Sequence, residues 1–231
     1  MSFRDQYVTG VVLTTKPYRE KDRMIWLYTK EKGKILVFVR GGMKISSKLA
    51  PMISEPFALT KLKIVKGRLY FHLIGGEIIK TFENIEKDYK RLLRLSGVFE
   101  KIEKILPRDE ENEKVFLLIK KFLTIINKSY RINAFSAFLL KLLSLSGFMP
   151  ELQYCLVCKK KIDKGYFDLE KGGVVCQNHK GKRAFKISKN VLNLLKDFLL
   201  KDFDYLLSKE FDNNDSLKAK QIIESFYDWQ F

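Results

Sequence analysis

Histidine and cysteine are scarce here, with two and three among 231 residues. The odd cysteine number excludes a fully paired disulfide framework and points to a reducing compartment. No apolar run reaches the length of a membrane span, and Met1-Ser2-Phe3-Arg4-Asp5 leads into no signal-peptide core. A cytoplasmic protein without membrane attachment is expected. Catalytic signatures are missing too. There is no G-x-x-x-x-G-K-[ST] phosphate loop, and Gly41-Gly42 and Gly75-Gly76 read as turn glycines outside any dinucleotide fingerprint. The acidic residues Glu20, Asp22, Glu31, Glu55 and Glu77 of the N-terminal third are too few for a two-metal nuclease. The acidic residues from Asp109 to Glu113 read as a helix start. Only His72 stands outside the cysteine cluster, in an apolar alternation that suits a structural histidine better than a base. An enzyme is not expected.

The scarce residues are not scattered. Cys155-x2-Cys158, a 17-residue gap, and Cys176-x2-His179 gather all three cysteines and one histidine. Two chelating hooks at that separation have the spacing of a tetrahedral structural zinc site, with no position left for water or substrate. Lys164–Leu169 and Gly173–Cys176 read as strands around Glu170-Lys171-Gly172, so the hooks sit at one end of a hairpin, as in a zinc ribbon. So small a piece needs the metal, whose binding is worth on the order of 10 kcal/mol in zinc peptides.

With 46% hydrophobic and 13% aromatic residues the chain is globular, and its length allows one large or two modest domains. Its net charge is +17. Residues 1–80 hold 16 Lys+Arg against 6 Asp+Glu, a net of +10, whereas residues 186–231 hold 7 against 8. That placement suggests a polyanionic partner, nucleic acid before membrane, because no basic amphipathic helix lies in the basic part.

Residues 6–80 read as five strands without an intervening helix: Tyr7–Thr14, Met24–Thr29, Lys34–Val39, Phe57–Ile64 and Leu69–Ile74, with turns at Lys32-Gly33 and Lys66-Gly67. A closed five-stranded barrel is expected, an OB-fold or an SH3-like barrel. Trp26 and Phe38 fit its core by alternation. From Asn84 onward the period is helical. One helix is expected over Ile85–Leu106 with Tyr89, Leu92, Leu93, Phe99 and Ile102 on its buried side. A second is capped by Asp109, and a third, apolar nearly all round, covers Asn133–Ser146. Beyond the hairpin, Ser188 caps Lys189–Leu207 and Ser216 caps Leu217–Trp229. The fold class is α+β, with a barrel domain over 1–80 and a helical domain over 81–231 that carries the ribbon at about 152–183.

Cations cluster in the barrel's connections. Lys16, Arg19, Lys21 and Arg23 fall between the first two strands, Lys32 and Lys34 flank the next turn, and Arg40, Lys44 and Lys48 follow the third strand. Convergent on one rim, they would neutralise phosphates without reading bases. Tyr18, in a connection, is the candidate for stacking on an unpaired base.

The order of certain segments resembles the bacterial RecO family of recombination mediators. These are Thr9-Gly10-Val11-Val12-Leu13, Tyr18–Arg23, Tyr28–Lys34 and Gly41–Lys44, then Gly147-Phe148-Met149-Pro150 before Cys155-x2-Cys158, and Gly172–Cys176. The resemblance covers about residues 10–205. It implies an OB-fold followed by a helical domain with a zinc ribbon, binding of single- and double-stranded DNA, and annealing of complementary strands. It also implies action with RecR to load RecA on DNA coated by single-stranded-DNA-binding protein. His179 stands where many members have a fourth cysteine, and zinc accepts either. The acidic tail of single-stranded-DNA-binding protein is then expected on the helical domain. Arg131 and Lys141 would stand at the groove edge, with Phe138 and Leu142 in the apolar slot; the alternative makes Phe135, Phe138 and Leu142 ordinary core. A zinc-stapled RNA-binding or transcription-associated protein of the same architecture is the other reading, and an adaptor for an acidic protein partner a third.

Overall fold

The computed structural model of the chain describes residues 5–54 and 57–231; Met1–Arg4, Glu55 and Pro56 lie outside them. Runs of β-branched and aromatic residues form β1 (Gln6–Tyr18), β2 (Asp22–Thr29), β3 (Gly33–Val39), β4 (Leu59–Lys66) and β5 (Phe71–Lys80). They close into a barrel in the order β1-β2-β3-β5-β4. All pairings are antiparallel except that of β3 with β5, where Val37 and Phe38 face Phe71 and His72 in parallel register. The barrel is therefore OB-like.

Closure rests on β1, which pairs with β4 over Gln6–Val11 and with β2 over Gly10–Tyr18. The register slips between Val12 and Thr14, and the extra residue bends the strand from one partner toward the other. Inward-facing Val8, Val12, Ile25, Leu27, Ile35, Val37, Val39, Leu62, Ile64 and Leu73 fill the interior, and Ile53 of the short helix α1 (Pro51–Ser54) joins them. Trp26 is buried as expected, at 9% exposure, though outside the set that fills the interior, whereas Phe38 is only half-buried. Gly75 and Gly76, expected in a turn, lie within β5 beside a second register shift.

The next helices are α2 (Glu83–Glu86), α3 (Tyr89–Ile105) and α4 (Glu113–Lys128). The helix expected over Ile85–Leu106 breaks at Asp88, whose carboxylate accepts the Lys90 and Arg91 N–H groups and caps α3. Its buried side is Leu95, Val98, Phe99, Ile102 and Ile105, while Tyr89 and Leu93 are 74% and 61% exposed. Two apolar stripes compete on this helix, and packing chooses the second. Asn112, not Asp109, caps α4 by accepting from the Val115 N–H.

Residues 108–112 lie along the barrel. Asp109 N–H donates to the Lys34 carbonyl (3.0 Å), and the Tyr28 hydroxyl donates to the Asn112 carbonyl (3.3 Å). Phe57 packs edge-on against Phe99 at 4.5 Å between ring centroids. These contacts explain why the first compact unit runs over Met1–Lys128, with the second over Ser129–Phe231. The boundary expected at 80/81 marks the change from strand to helix; the packing unit continues through α4.

In the second unit α5 (Ile132–Leu145) is buried almost all round, as its composition demands. Around it stand α6 (Lys189–Leu200), α7 (Phe203–Ser208) and α8 (Asn213–Gln230). Ser188 caps α6, but the helix expected to reach Leu207 stops where Asp202 caps α7. Asp212 starts α8; Ser216 is buried inside it and accepts from Asn133 Nδ2 at 3.1 Å. The two expected ribbon strands are β6 (Gly165–Asp168) and β7 (Gly173–Val175), and a third that was not expected, β8 (Ala184–Ile187), pairs on the other edge of β6. Phe167 of β6 packs against Phe226 of α8 at 5.5 Å. No helix among the described residues is long and apolar enough to cross a membrane.

Gly33 has φ +62°, and a Cβ there would lie 1.8 Å from the Glu110 carbonyl oxygen. Gly33→Ala should therefore cost about 2–3 kcal/mol in urea unfolding. Gly75→Ala, whose Cβ meets nothing within 4 Å, should stay within about 0.5 kcal/mol of the parent.

Candidate metal centre and nucleic-acid interface

The two hooks meet. The donor atoms of Cys155, Cys158, Cys176 and His179 all lie within 4.8 Å of one another. Cys158 Sγ and Cys176 Sγ are 3.9 Å apart, and His179 Nδ1 is 3.2 Å from Cys176 Sγ and 3.7 Å from Cys155 Sγ. With a metal–sulfur bond of about 2.3 Å, a tetrahedral site has an S···S edge of about 3.8 Å. The cluster fits a four-coordinate ion.

Local backbone aims each donor. Lys159, at φ 59°, completes a tight turn in which its N–H donates to the Cys155 carbonyl (2.9 Å) and Cys155 N–H to the Lys160 carbonyl (2.8 Å). A 3-10 turn over Gln177–His179 swings the imidazole back beside Cys176. Cys155 is buried, which opposes its ionisation. The N–H groups of Cys158, Cys176 and Val157 and the imidazole of His179 outweigh that and bring its thiol down to about 5. These donors hold a thiolate ready for a metal. Buried Asp168 closes the far side: it accepts the Lys171 and Gly181 N–H groups and the Lys171 ammonium (3.0 Å).

The barrel's cations divide between two places and an interior position. Arg19 and Lys21 form the tight β1–β2 turn, with Lys16 and Arg23 on the flanking strands. The segment after β3 folds onto that turn: Met43 N–H donates to the Lys21 carbonyl (3.0 Å), Gly41 N–H to Asp22 Oδ1 (2.7 Å) and Arg23 Nε to Met43 Sδ (3.0 Å). Arg40, Lys44 and Lys48 are exposed along it. These seven cations form one basic rim. Lys32 lies elsewhere, in a cleft of about 470 Å³ formed by the β2–β3 turn, the β4–β5 turn and residues 108–111.

Lys34, expected among the phosphate-binding cations, is an interior residue instead. It is 6% exposed, its ammonium donates to the Glu103 carbonyl and stands 5.4 Å from the Trp26 ring, and it serves the packing of α3 on the barrel. The Arg108 guanidinium also stands over the Trp26 ring, at 4.4 Å. The peptide slot is corrected as well. Phe138 and Leu142 are fully buried, and Lys141 Nζ donates to the Leu199 carbonyl at the end of α6 (2.8 Å). Of the four residues only Arg131 is exposed.

Sequence reading missed a cluster of half-buried rings outside the barrel. Phe38 meets Tyr18, Tyr70 and His72 at 5.9, 5.6 and 5.4 Å, and Tyr70 meets His72 at 5.2 Å. The parallel β3–β5 pairing that brings Phe38 beside His72 leaves no local signal in the chain.

Family models place the chain. The model for the recombination protein O N-terminal domain matches residues 1–82, and that for its C-terminal domain matches residues 86–231. The chain belongs to the RecO family. It is 32% identical to the DNA repair protein RecO of Caldanaerobacter subterraneus subsp. tengcongensis, over 93% of this chain and 85% of the relative. It is 30% identical to the RecO of a Thermoanaerobacter species, over 95% and 86%. The Clostridium acetobutylicum RecO is 36% identical over 72% of this chain and 68% of its own length. The joint between the two RecO models falls where strands give way to helices, ahead of the packing boundary at Lys128.

The RecO cluster should carry one metal ion per chain in elemental analysis of protein purified without added metal; less than about half an equivalent would count against it. Cys176→Ala should abolish the ion and lower the thermal midpoint.

Proposed function

We propose that this RecO-family chain is a recombination mediator. It binds single- and double-stranded DNA through the barrel and anneals complementary strands. With RecR, it helps load RecA onto DNA coated by single-stranded-DNA-binding protein. Family membership supports the DNA-repair role, and the basic rim of Arg19, Lys21, Arg23, Arg40, Lys44 and their neighbours is the observation that carries the DNA contact. Flexible cations on two loops locked together by backbone hydrogen bonds give a phosphate-binding edge that reads no sequence. Electrostatic attraction also suits annealing, because it lowers the repulsion between two polyanions held on one surface.

The proposed ion is zinc, since three thiolates and one imidazole in a closed tetrahedral set match its preference. It staples the ribbon and takes no part in chemistry. The partner interactions follow from the family resemblance. The tail of single-stranded-DNA-binding protein remains an expected ligand, but not in a slot made by Phe138 and Leu142, which lie in the core. A cytoplasmic location at the nucleoid accords with these roles.

Affinity for an oligonucleotide should fall linearly with salt on logarithmic axes, and to the same degree for unrelated sequences. Reversing Arg19, Arg40 and Lys44 to Glu should reduce the slope for single strands by about 2, at about 0.7 per lost phosphate contact. The same variant should slow annealing of complementary oligonucleotides. An unchanged slope would move the DNA path elsewhere, with exposed Lys159, Lys160 and Lys161 of the ribbon the next candidates. Stronger binding to RNA than to DNA in competition would favour the RNA-binding alternative.

A further inference from the structure

The barrel's outer face holds more than phosphate-binding cations. Tyr18 comes from the end of β1, Phe38 from β3, Tyr70 from the β4–β5 turn and His72 from β5, and none is fully buried. Tyr18 and Phe38 pack at 87° and Phe38 and His72 at 79°, edge to face, so the rings hold one another in fixed orientations. The turn that presents Tyr70 is tight. Gly67 N–H donates to the Tyr70 carbonyl (2.9 Å), and a Cβ on Gly67 would come within 2.6 Å of that oxygen. Arg19, of the basic rim, lies over the Tyr18 ring at 5.3 Å.

The same hairpin leads to a second group of cations. Lys66, Arg68 and Tyr70 all line the cleft that holds Lys32, and Arg108 faces them from the segment before α4. Lys66, Arg68 and Arg108 are exposed. The acidic residues of the cleft are Glu31, Asp109 and Glu111, and the Glu31 carboxylate accepts the Thr9 N–H at 2.9 and 3.1 Å. The rings thus stand between two sets of phosphate-binding groups, the rim at Arg19 and the cleft at Lys66 and Arg68.

We propose that this face is a single-strand platform: unpaired bases stack on Tyr18, Phe38, Tyr70 and His72 while the sugar–phosphate backbone runs from the rim into the cleft. The proposal rests on the DNA-binding reading and adds to it a path and a basis for discriminating strand state. Rim cations attract duplex and single strand alike, whereas only an unpaired base offers its face to a ring. Rings already locked by edge-to-face contacts lose little freedom on binding, so the stacking is preorganised. Every base has such a face, and no sequence preference follows.

The test compares a thymidine oligomer, an abasic oligomer of the same length and charge, and a duplex, by anisotropy with the full chain. The parent should bind the thymidine oligomer about tenfold or more tighter than the abasic one. Tyr18→Ala with Tyr70→Ala should erase that preference and leave abasic and duplex affinities within about twofold. Tyr18→Leu with Tyr70→Leu, which keeps apolar volume, should behave alike, and Phe at both positions should restore the preference. Lys66→Glu with Arg68→Glu should weaken the thymidine and abasic oligomers equally. A parent that binds the two oligomers equally tightly overturns the platform but spares the electrostatic reading. So does a tyrosine double variant that keeps the preference. A uridine oligomer bound more tightly than the thymidine one overturns the assignment to DNA. A parent that binds none of the three overturns the underlying DNA-binding function itself.

Discussion

The first unit depends on one strand having two partners. Because β1 bends at its bulge, it pairs with β4 at its beginning and β2 at its end, and the sheet closes. Closure removes edge strands, so the barrel cannot recognise a ligand by adding a strand and must use its outward side chains and its loops. It also sets where those lie. The β1–β2 turn and the segment after β3 meet at one end because β1, β2 and β3 are consecutive antiparallel neighbours. The parallel β3–β5 contact brings Phe38 beside His72. Charge and aromatic rings that are dispersed in the chain become a rim and a patch.

The second unit is held differently. Its helices need only the apolar α5, which the others cover. The ribbon has a small core of its own, with Phe167, Val174, Val175 and Ile187 buried, and leans on α8 through Phe226. The buried Asp168 fixes one end of that sheet, and a metal held by the Cys–His cluster would fix the other. Loss of the ion would loosen one end while Phe167 still anchors the middle. Local loosening is therefore expected from metal removal, and a direct effect on the barrel's cations is not.

Much of this was legible from local pattern. Alternation marked the five strands of the barrel, ligand spacing marked the metal cluster, and the all-round apolar run marked α5 as central. What escaped was set by contacts between distant segments. Lys34 looked like a turn cation because nothing nearby in sequence announces that the Glu103 carbonyl will receive its ammonium. Lys141 looked free because its acceptor, the Leu199 carbonyl, is 58 residues away. Trp26 was read into the barrel core by alternation; it is buried, but beside Lys34 and Arg108 rather than among the residues that fill the interior. On α3 two stripes were available, and only the packed structure separates Leu95 and Val98 from Tyr89 and Leu93. The ring cluster joins four residues from three strands and a turn.

The central claim is that DNA follows the barrel, along the end where Arg19, Lys21, Arg40 and Lys44 converge. Amide hydrogen exchange of the full chain with and without a single-stranded oligonucleotide tests this most directly, since bound backbone segments exchange more slowly. Protection should appear in residues 18–23, 39–48 and 66–72, with the ribbon turn at 156–161 and helices α6–α8 unchanged. Protection confined to the ribbon or to the second unit, with those barrel segments exchanging as in the free protein, would contradict it.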